Sequence, residues 1–156
     1  MNNNIFNNAL EYTIPTKILN KYAKIPTNGS EESAGYDLYA AIEKPIDILP
    51  HSTKKIDTGL SFELPGGTFA GIFPRSGIAT KRGLRPINSP GVIDSDYRGN
   101  VIVALHNDTN EVQTVEPGER IAQMILLPYF AMSFYVTENL SDTNRGASGF
   151  GDSGRF

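Results

Sequence analysis

The chain has 156 residues, an apolar fraction of 39% and a formal net charge of −3, which suits one globular domain able to bury a core without disulfides or metals. It contains no cysteine, so a disulfide framework, a zinc–thiolate centre and a thiol nucleophile are excluded. Its Lys and Arg residues are scattered, and no positively charged start precedes an apolar run at the N-terminus; no nucleic-acid partner, no membrane span and a cytoplasmic or nuclear location are therefore expected.

Residues 1–13 form an Asn-rich tail, with five asparagines among the first ten positions and little that could pack; disorder is the expectation. A first strand is predicted over 16–20, then a loop over 26–33 with Asn28-Gly29 as its turn signal. Ala34-Gly-Tyr-Asp-Leu-Tyr-Ala40 alternates, with Tyr36 and Leu38 on one side and Asp37 and Tyr39 on the other. A lone acid on a strand ordinarily faces water. A metal or phosphate role for Asp37 needs other polar groups brought to the same face.

Short apolar pieces follow at 46–49, 54–56, 60–64 and 69–73, cut by Pro45, Pro50, Pro65, Gly66 and Gly67. Strands separated by turn signals at roughly 8–12 residue spacing indicate an all-β sandwich or barrel. One helix is predicted over 76–82, with Ser76 as N-cap and Gly83 as stop. Pro74-Arg75-Ser76-Gly77 ahead of it has two readings: a capped turn with a surface arginine, or N–H groups and a guanidinium converging on an anion.

The stretch 88–100, Asn-Ser-Pro-Gly-Val-Ile-Asp-Ser-Asp-Tyr-Arg-Gly-Asn, lies between the chain-reversal signals Pro90-Gly91 and Gly99-Asn100. It reads as a β-hairpin, with Val92-Ile93 leading in, Val101-Ile-Val-Ala-Leu105 leading out, and Asp94, Ser95, Asp96, Tyr97 and Arg98 at the tip. A calcium loop fails, because Arg98 and Leu105 fall on ligand positions of that pattern. A solvated turn and a catalytic carboxylate beside an aromatic wall both remain open on these residues alone.

Further strands are predicted over 111–115 and 121–127, the second carrying one polar residue, Gln123, in an otherwise buried run, and Phe134-Tyr-Val136 is a candidate last strand. His51 and His106 stand alone in sequence and read as structural or surface residues. The C-terminal stretch 145–155 is glycine-rich. Gly149, Gly151 and Gly154 match a dinucleotide-binding GxGxxG spacing, but no strand leads in and the chain reaches Phe156 before a helix could follow. A mobile arm able to close over a phosphorylated ligand fits better, with Phe150 between glycines as its aromatic.

Taken together the motifs resemble those of the trimeric all-β dUTP pyrophosphatases, the dUTPases. Five of them occur in order: Ala34-Gly-Tyr-Asp-Leu-Tyr-Ala40, Pro74-Arg-Ser-Gly-Ile-Ala79, the stretch 88–99, Gly118-Glu-Arg-Ile-Ala-Gln-Met-Ile125 and the stretch 145–154. The resemblance spans the chain from about residue 16 onward. It implies a distorted jelly-roll or β-barrel core over 14–139 with one short helix, and a flexible arm over 140–156 that closes over a neighbouring subunit's site in a homotrimer.

It also implies hydrolysis of dUTP to dUMP and pyrophosphate, lowering dUTP and supplying dUMP for thymidylate synthesis. Asp94 would be the base that orients and deprotonates the water attacking the α-phosphorus. Tyr97 would lie under the deoxyribose, excluding a 2′-hydroxyl. Asn88, Gly91, Val92, Ile93 and Ile102 would frame the base, and Phe150 would stack on it. Arg75, Ser76, Gly77, Gln123, Arg145, Ser148, Gly149, Gly151 and Ser153 match phosphate-binding positions. Asp37 matches the acid that holds a magnesium–triphosphate through metal-bound water, an arrangement that suits magnesium.

Four positions depart from the common pattern. Ser148 stands where a second glycine is usual, Asp152-Ser153 replaces Ser-Thr, and Ile102 stands where many relatives have lysine. Asp152 adds negative charge near the expected γ-phosphate, so it turns outward or weakens triphosphate binding. The rivals are a dCTP deaminase of the same fold, alone or bifunctional, and a relative that binds nucleotide or protein without catalysis. The Tyr97 stretch and the complete arm favour the plain pyrophosphatase, and retention of Asp37, Asp94, Gln123 and Arg145 disfavours a mere binder.

Overall fold

The structure is a computed structural model that describes residues 11–147 and 149. Short strands and one helix follow the predicted punctuation. In chain order they are β1 (Thr16–Ile18), β2 (Thr27–Asn28), β3 (Tyr36–Tyr39), β4 (Ile46–Ile48), β5 (Thr53–Asp57), β6 (Leu60–Phe62), β7 (Thr68–Phe73), α1 (Ser76–Arg82), β8 (Leu84–Pro86), β9 (Gly91–Asp94), β10 (Ile102–Asn107), β11 (Gln113–Val115) and β12 (Arg120–Pro128). The described strands pair antiparallel in four sheets: β1-β6, β5-β10-β8, β11-β4 and β2-β3-β12-β7-β9.

The core forms where period-2 patterns turn inward from several sheets at once. Leu38 of β3, Ile48 of β4, Ile56 of β5, Leu60 of β6, Leu84 of β8 and Ile121 of β12 are all fully buried. Along β10, Val103, Leu105 and Asn107 face in while Ile102, Ala104 and His106 face out. The buried Asn107 is satisfied on both ends: Nδ2 donates to the carbonyls of Ile48 (3.0 Å) and Glu111 (2.7 Å), and Oδ1 accepts from the Thr109 N–H and hydroxyl. A polar side chain in the core is thereby turned into an anchor for the loop after β10.

The helix begins one residue earlier in function than predicted. Arg75, in extended conformation with no side-chain cap bond, is the N-cap, and Ser76 is the first helical residue. Gly83 ends it as predicted, with φ at 61° and its N–H donating to the Ile78 carbonyl. Arg82 ties the helix to later chain, donating to Gln113 Oε1 (3.2 Å), to the Thr114 carbonyl and to Glu119.

Two further expectations fail. The stretch 88–100 is not a hairpin. β9 pairs with β7, from Phe69↔Asp94 to Ile72↔Gly91, whereas β10 pairs with β5 and β8 in a different sheet. The reason is competition for edges: β10 has β5 along one edge and β8 along the other, extended by the Ile87 N–H donating to the Ala104 carbonyl, so β9 finds no place beside it. The intervening residues therefore cross from one sheet to another.

Nor is Phe134-Tyr-Val136 a strand. β12 is flanked by β3 and β7, and after the Tyr129 N–H donates to the Gly67 carbonyl the chain leaves the sheet. Phe130, Phe134, Tyr135, Val136 and Leu140 all stand almost wholly exposed.

Candidate functional site

One group of predicted site residues is assembled within the subunit. Across β3 and β12, Gln123 is opposite Asp37, and across β12 and β7 it is opposite Phe73, immediately before Pro74-Arg75. Asp37 Oδ1 accepts from Arg75 Nε at 2.6 Å, and Oδ2 accepts from Arg120 Nη1 at 3.1 Å. Arg75 Nη1 also donates to the Arg120 carbonyl (3.3 Å), and Gln123 Nε2 donates to the Pro74 carbonyl (2.8 Å). Asp37 is only 13% exposed at its side chain, so the acid is a hub between two guanidiniums rather than a solvated strand residue.

Arg120 was not among the sequence candidates. In a regular strand Arg120 and Gln123, three apart, face opposite ways. A register shift between Arg120 and Ala122 inserts one residue, so Arg120 sits opposite Tyr39 and Gln123 opposite Asp37, on one face. No local sequence pattern announces that bulge. Gly35 makes room here as well, since a Cβ on it would run into the Gln123 side-chain amide.

The second group is the turn after β9. Asp94 ends the strand, exposed, and its carbonyl accepts from the Tyr97 N–H at 3.2 Å. The Tyr97 hydroxyl donates to the Asn100 carbonyl (3.1 Å), with the ring 44% exposed. Arg98 is structural: Nη1 donates to the Ser95 (2.7 Å) and Tyr97 (3.2 Å) carbonyls, while its own carbonyl accepts from Ser61 Oγ (2.7 Å). Asn88 lies against Gly91, whose missing Cβ would sit 3.3 Å from Asn88 Nδ2. Val92 and Ile102 are about half exposed, and Ile93 is partly buried.

The two groups are not brought together in one subunit. Asp94 is opposite Phe69 and Gln123 opposite Phe73 on the same strand β7. That places them roughly 13 Å apart along the strand and two strand spacings, about 10 Å, across it. Ser76 and Gly77 open α1 beside Arg75. Arg145 is exposed and Gly149 partly buried. Ser148, Phe150, Gly151 and Ser153, like Asp152 and residues 1–10, lie outside the described residues.

The histidines belong to neither group. His106 Nδ1 shares a hydrogen bond with Thr53 Oγ1 (2.9 Å) and its Nε2 lies 3.6 Å from Asp108, while His51 bonds Asn110. Arg85 grips Asp108 with two bonds of 2.7 and 3.0 Å, and this hydrogen bonding holds Asp108 below the usual carboxylate range. A lowered folded value means that the pair stabilises the fold above the ordinary carboxylate range and stops doing so as pH falls through the folded value. Asp108→Asn is accordingly expected to flatten the urea-midpoint profile as pH falls below the ordinary carboxylate range, by a small amount because the pair is exposed.

An acid–arginine–amide cluster able to hold phosphates, and a separate exposed carboxylate three residues before an exposed tyrosine, are the chemistry expected of an all-β protein of the nucleotide-handling kind. The comparisons specify it further. The dUTPase family model matches residues 21–154, and the chain belongs to that family.

Among curated relatives, deoxyuridine 5′-triphosphate nucleotidohydrolase of Desulfitobacterium hafniense strain DSM 10664 / DCB-2 is 43% identical over 94% of this chain and 98% of its own. The protein of the same name in Nautilia profundicola is 47% identical over 89% and 96%. Among solved structures, the dUTPase of Staphylococcus bacteriophage 80alpha with dUPNHPP superposes with a TM-score of 0.80 at 27% identity, covering 92% of this chain and 99% of that one. A mutant dUTPase of phage phi11 of S. aureus, described as coordinating a structural Mg(II) ion, shares the fold with a TM-score of 0.72 at 21% identity, over 82% and 98%.

Proposed function

We propose that this chain hydrolyses dUTP to dUMP and pyrophosphate at sites shared between subunits of a homotrimer, with Asp94 as the base. The observation that supports this reading is the pair of groups just described: the Asp37–Arg75–Gln123 cluster and the Asp94 turn stand at opposite ends of β7. Reacting atoms must approach to about 3–3.5 Å, so a second copy has to bring its Asp94 turn to the first copy's Asp37–Arg75–Gln123 cluster. The apolar segment from Phe130 to Leu140, exposed in the single subunit, is the kind of surface that a neighbouring copy covers.

In the reaction Asp94 accepts a proton from water as its oxygen bonds to the α-phosphorus. The bond from that phosphorus to the oxygen bridging to the β-phosphate breaks, and pyrophosphate leaves with the electron pair. Arg75, Ser76, Gly77 and Gln123 hold phosphate oxygens, and Tyr97 lies under the sugar. Asn88, Gly91, Val92, Ile93 and Ile102 frame uracil; a site built for its hydrogen bonds rejects cytosine by leaving groups unpaired. From the arm, Arg145, Ser148, Gly149, Gly151 and Ser153 add phosphate contacts and Phe150 stacks on the base.

Magnesium fits the acid hub through a bound water. Each Asp37 oxygen accepts from one arginine and keeps a lone pair for a further donor such as a metal-bound water, and among the described residues no group of three or more His, Cys, Asp or Glu could hold a metal by itself. A hydrated magnesium arriving with the triphosphate would spread its charge. Asp37 keeps Arg75 and Arg120 aimed whether or not the ion is present.

The test is pyrophosphate release by purified protein with magnesium, comparing dUTP with dCTP, dTTP and UTP, alongside light scattering for the oligomer. Release from dUTP alone by a trimer is expected. Ammonia from dCTP would instead identify a deaminase, and no release from any of the four would leave a binder, with Asp152 the first residue to revert.

A further inference from the structure

We infer that Gly99 is a positioning residue that sets substrate selectivity: its bare α-carbon is the seat on which the Tyr97 ring rests. The inference depends on the role given to Tyr97 above. A Cβ built on Gly99 would lie 2.9 Å from Tyr97 Cε2 and closer still to Cζ and Oη, whereas real Cβ atoms essentially never come within 3.0 Å of a neighbour. Gly99 is not among the glycines with positive φ, so an alanine there strains no backbone. What it displaces is the ring.

The backbone resists giving way instead, because the residues flanking Gly99 are tied down. The Ser95 and Tyr97 carbonyls accept from Arg98, the Arg98 carbonyl accepts from Ser61 in β6, and Asn100 Nδ2 donates to Asp57 Oδ1 of β5 at 2.6 Å. The Tyr97 hydroxyl closes the arrangement on the Asn100 carbonyl. With its backbone pinned, the ring has one resting depth, fixed from below by Gly99 and at its tip by that hydrogen bond. A flat wall discriminates against an added hydroxyl only if it cannot retreat.

The experiment compares wild type, Gly99→Ala, Tyr97→Ala and the double variant by kcat and KM for dUTP and UTP, and by thermal melting. Gly99→Ala is expected to raise KM for dUTP and to lower the dUTP/UTP ratio of kcat/KM by roughly tenfold, and to change neither further in the Tyr97→Ala background, as a residue acting only through the ring must. An unchanged ratio in Gly99→Ala, or an equal loss in both backgrounds, overturns the assignment. If Gly99→Ala does not fold, recovery of folding in the double variant upholds the contact, and failure of both overturns it. Wild type inactive on dUTP would defeat the functional reading alone, since the melting temperatures still report whether Gly99 and Tyr97 are coupled.

Discussion

Asp94→Asn is expected to lower kcat for dUTP by roughly 10²-fold or more while KM changes little, the pattern for loss of a general base. The substitution keeps size and hydrogen-bonding reach. Pairing of β9 with β7 and the bond from the Tyr97 N–H to the residue 94 carbonyl involve backbone only, so the turn retains its shape. What disappears is the ability to take a proton from water. Steady-state kinetics on dUTP decide the matter, and turnover at the wild-type level removes Asp94 from the mechanism.

Replacing Asp37 by Asn should act on stability and on phosphate binding together. Asp37 accepts from Arg75 at 2.6 Å and from Arg120 at 3.1 Å through its two oxygens; asparagine has one acceptor oxygen, so one bond is weakened, the other is replaced by an NH2 group facing a guanidinium donor, and two guanidiniums are left without a counter-charge. With Arg75 mostly buried and Arg120 about half exposed, the cost should be about 2 kcal/mol, between the values for exposed and buried pairs. Urea unfolding measures it.

Arg75, released from its aim, should bind triphosphate less well, lowering kcat/KM by about tenfold or more. A magnesium titration separates the two roles of the acid. A raised magnesium requirement assigns Asp37 to the metal-bound water as well as to the arginines. A requirement equal to wild type, with KM raised, restricts it to holding Arg75 and Arg120.

Much of this chain could be read locally. Proline and glycine punctuation marked most strands, Gly83 marked the end of α1, and five ordered motifs pointed to the family that the comparisons then established. These are features that depend on a few adjacent residues: a φ preference, a missing N–H, an alternation of side chains.

Pairing was decided elsewhere. Val92-Ile93 and Val101 onward look like two arms of a hairpin because each satisfies strand preferences, yet which edge a strand joins depends on which edges remain open, and β5 and β8 had taken those of β10. Arg120 reached Asp37 only through a bulge that reversed its face. Phe134-Tyr-Val136 carried strand-forming residues, yet it follows the point where the chain leaves β12, stands exposed and pairs with no described strand. Residue preferences therefore specified the elements and the chemistry available to this protein, while competition for strand edges, a property of the whole fold, set which of those groups meet within the chain and which stay apart in it.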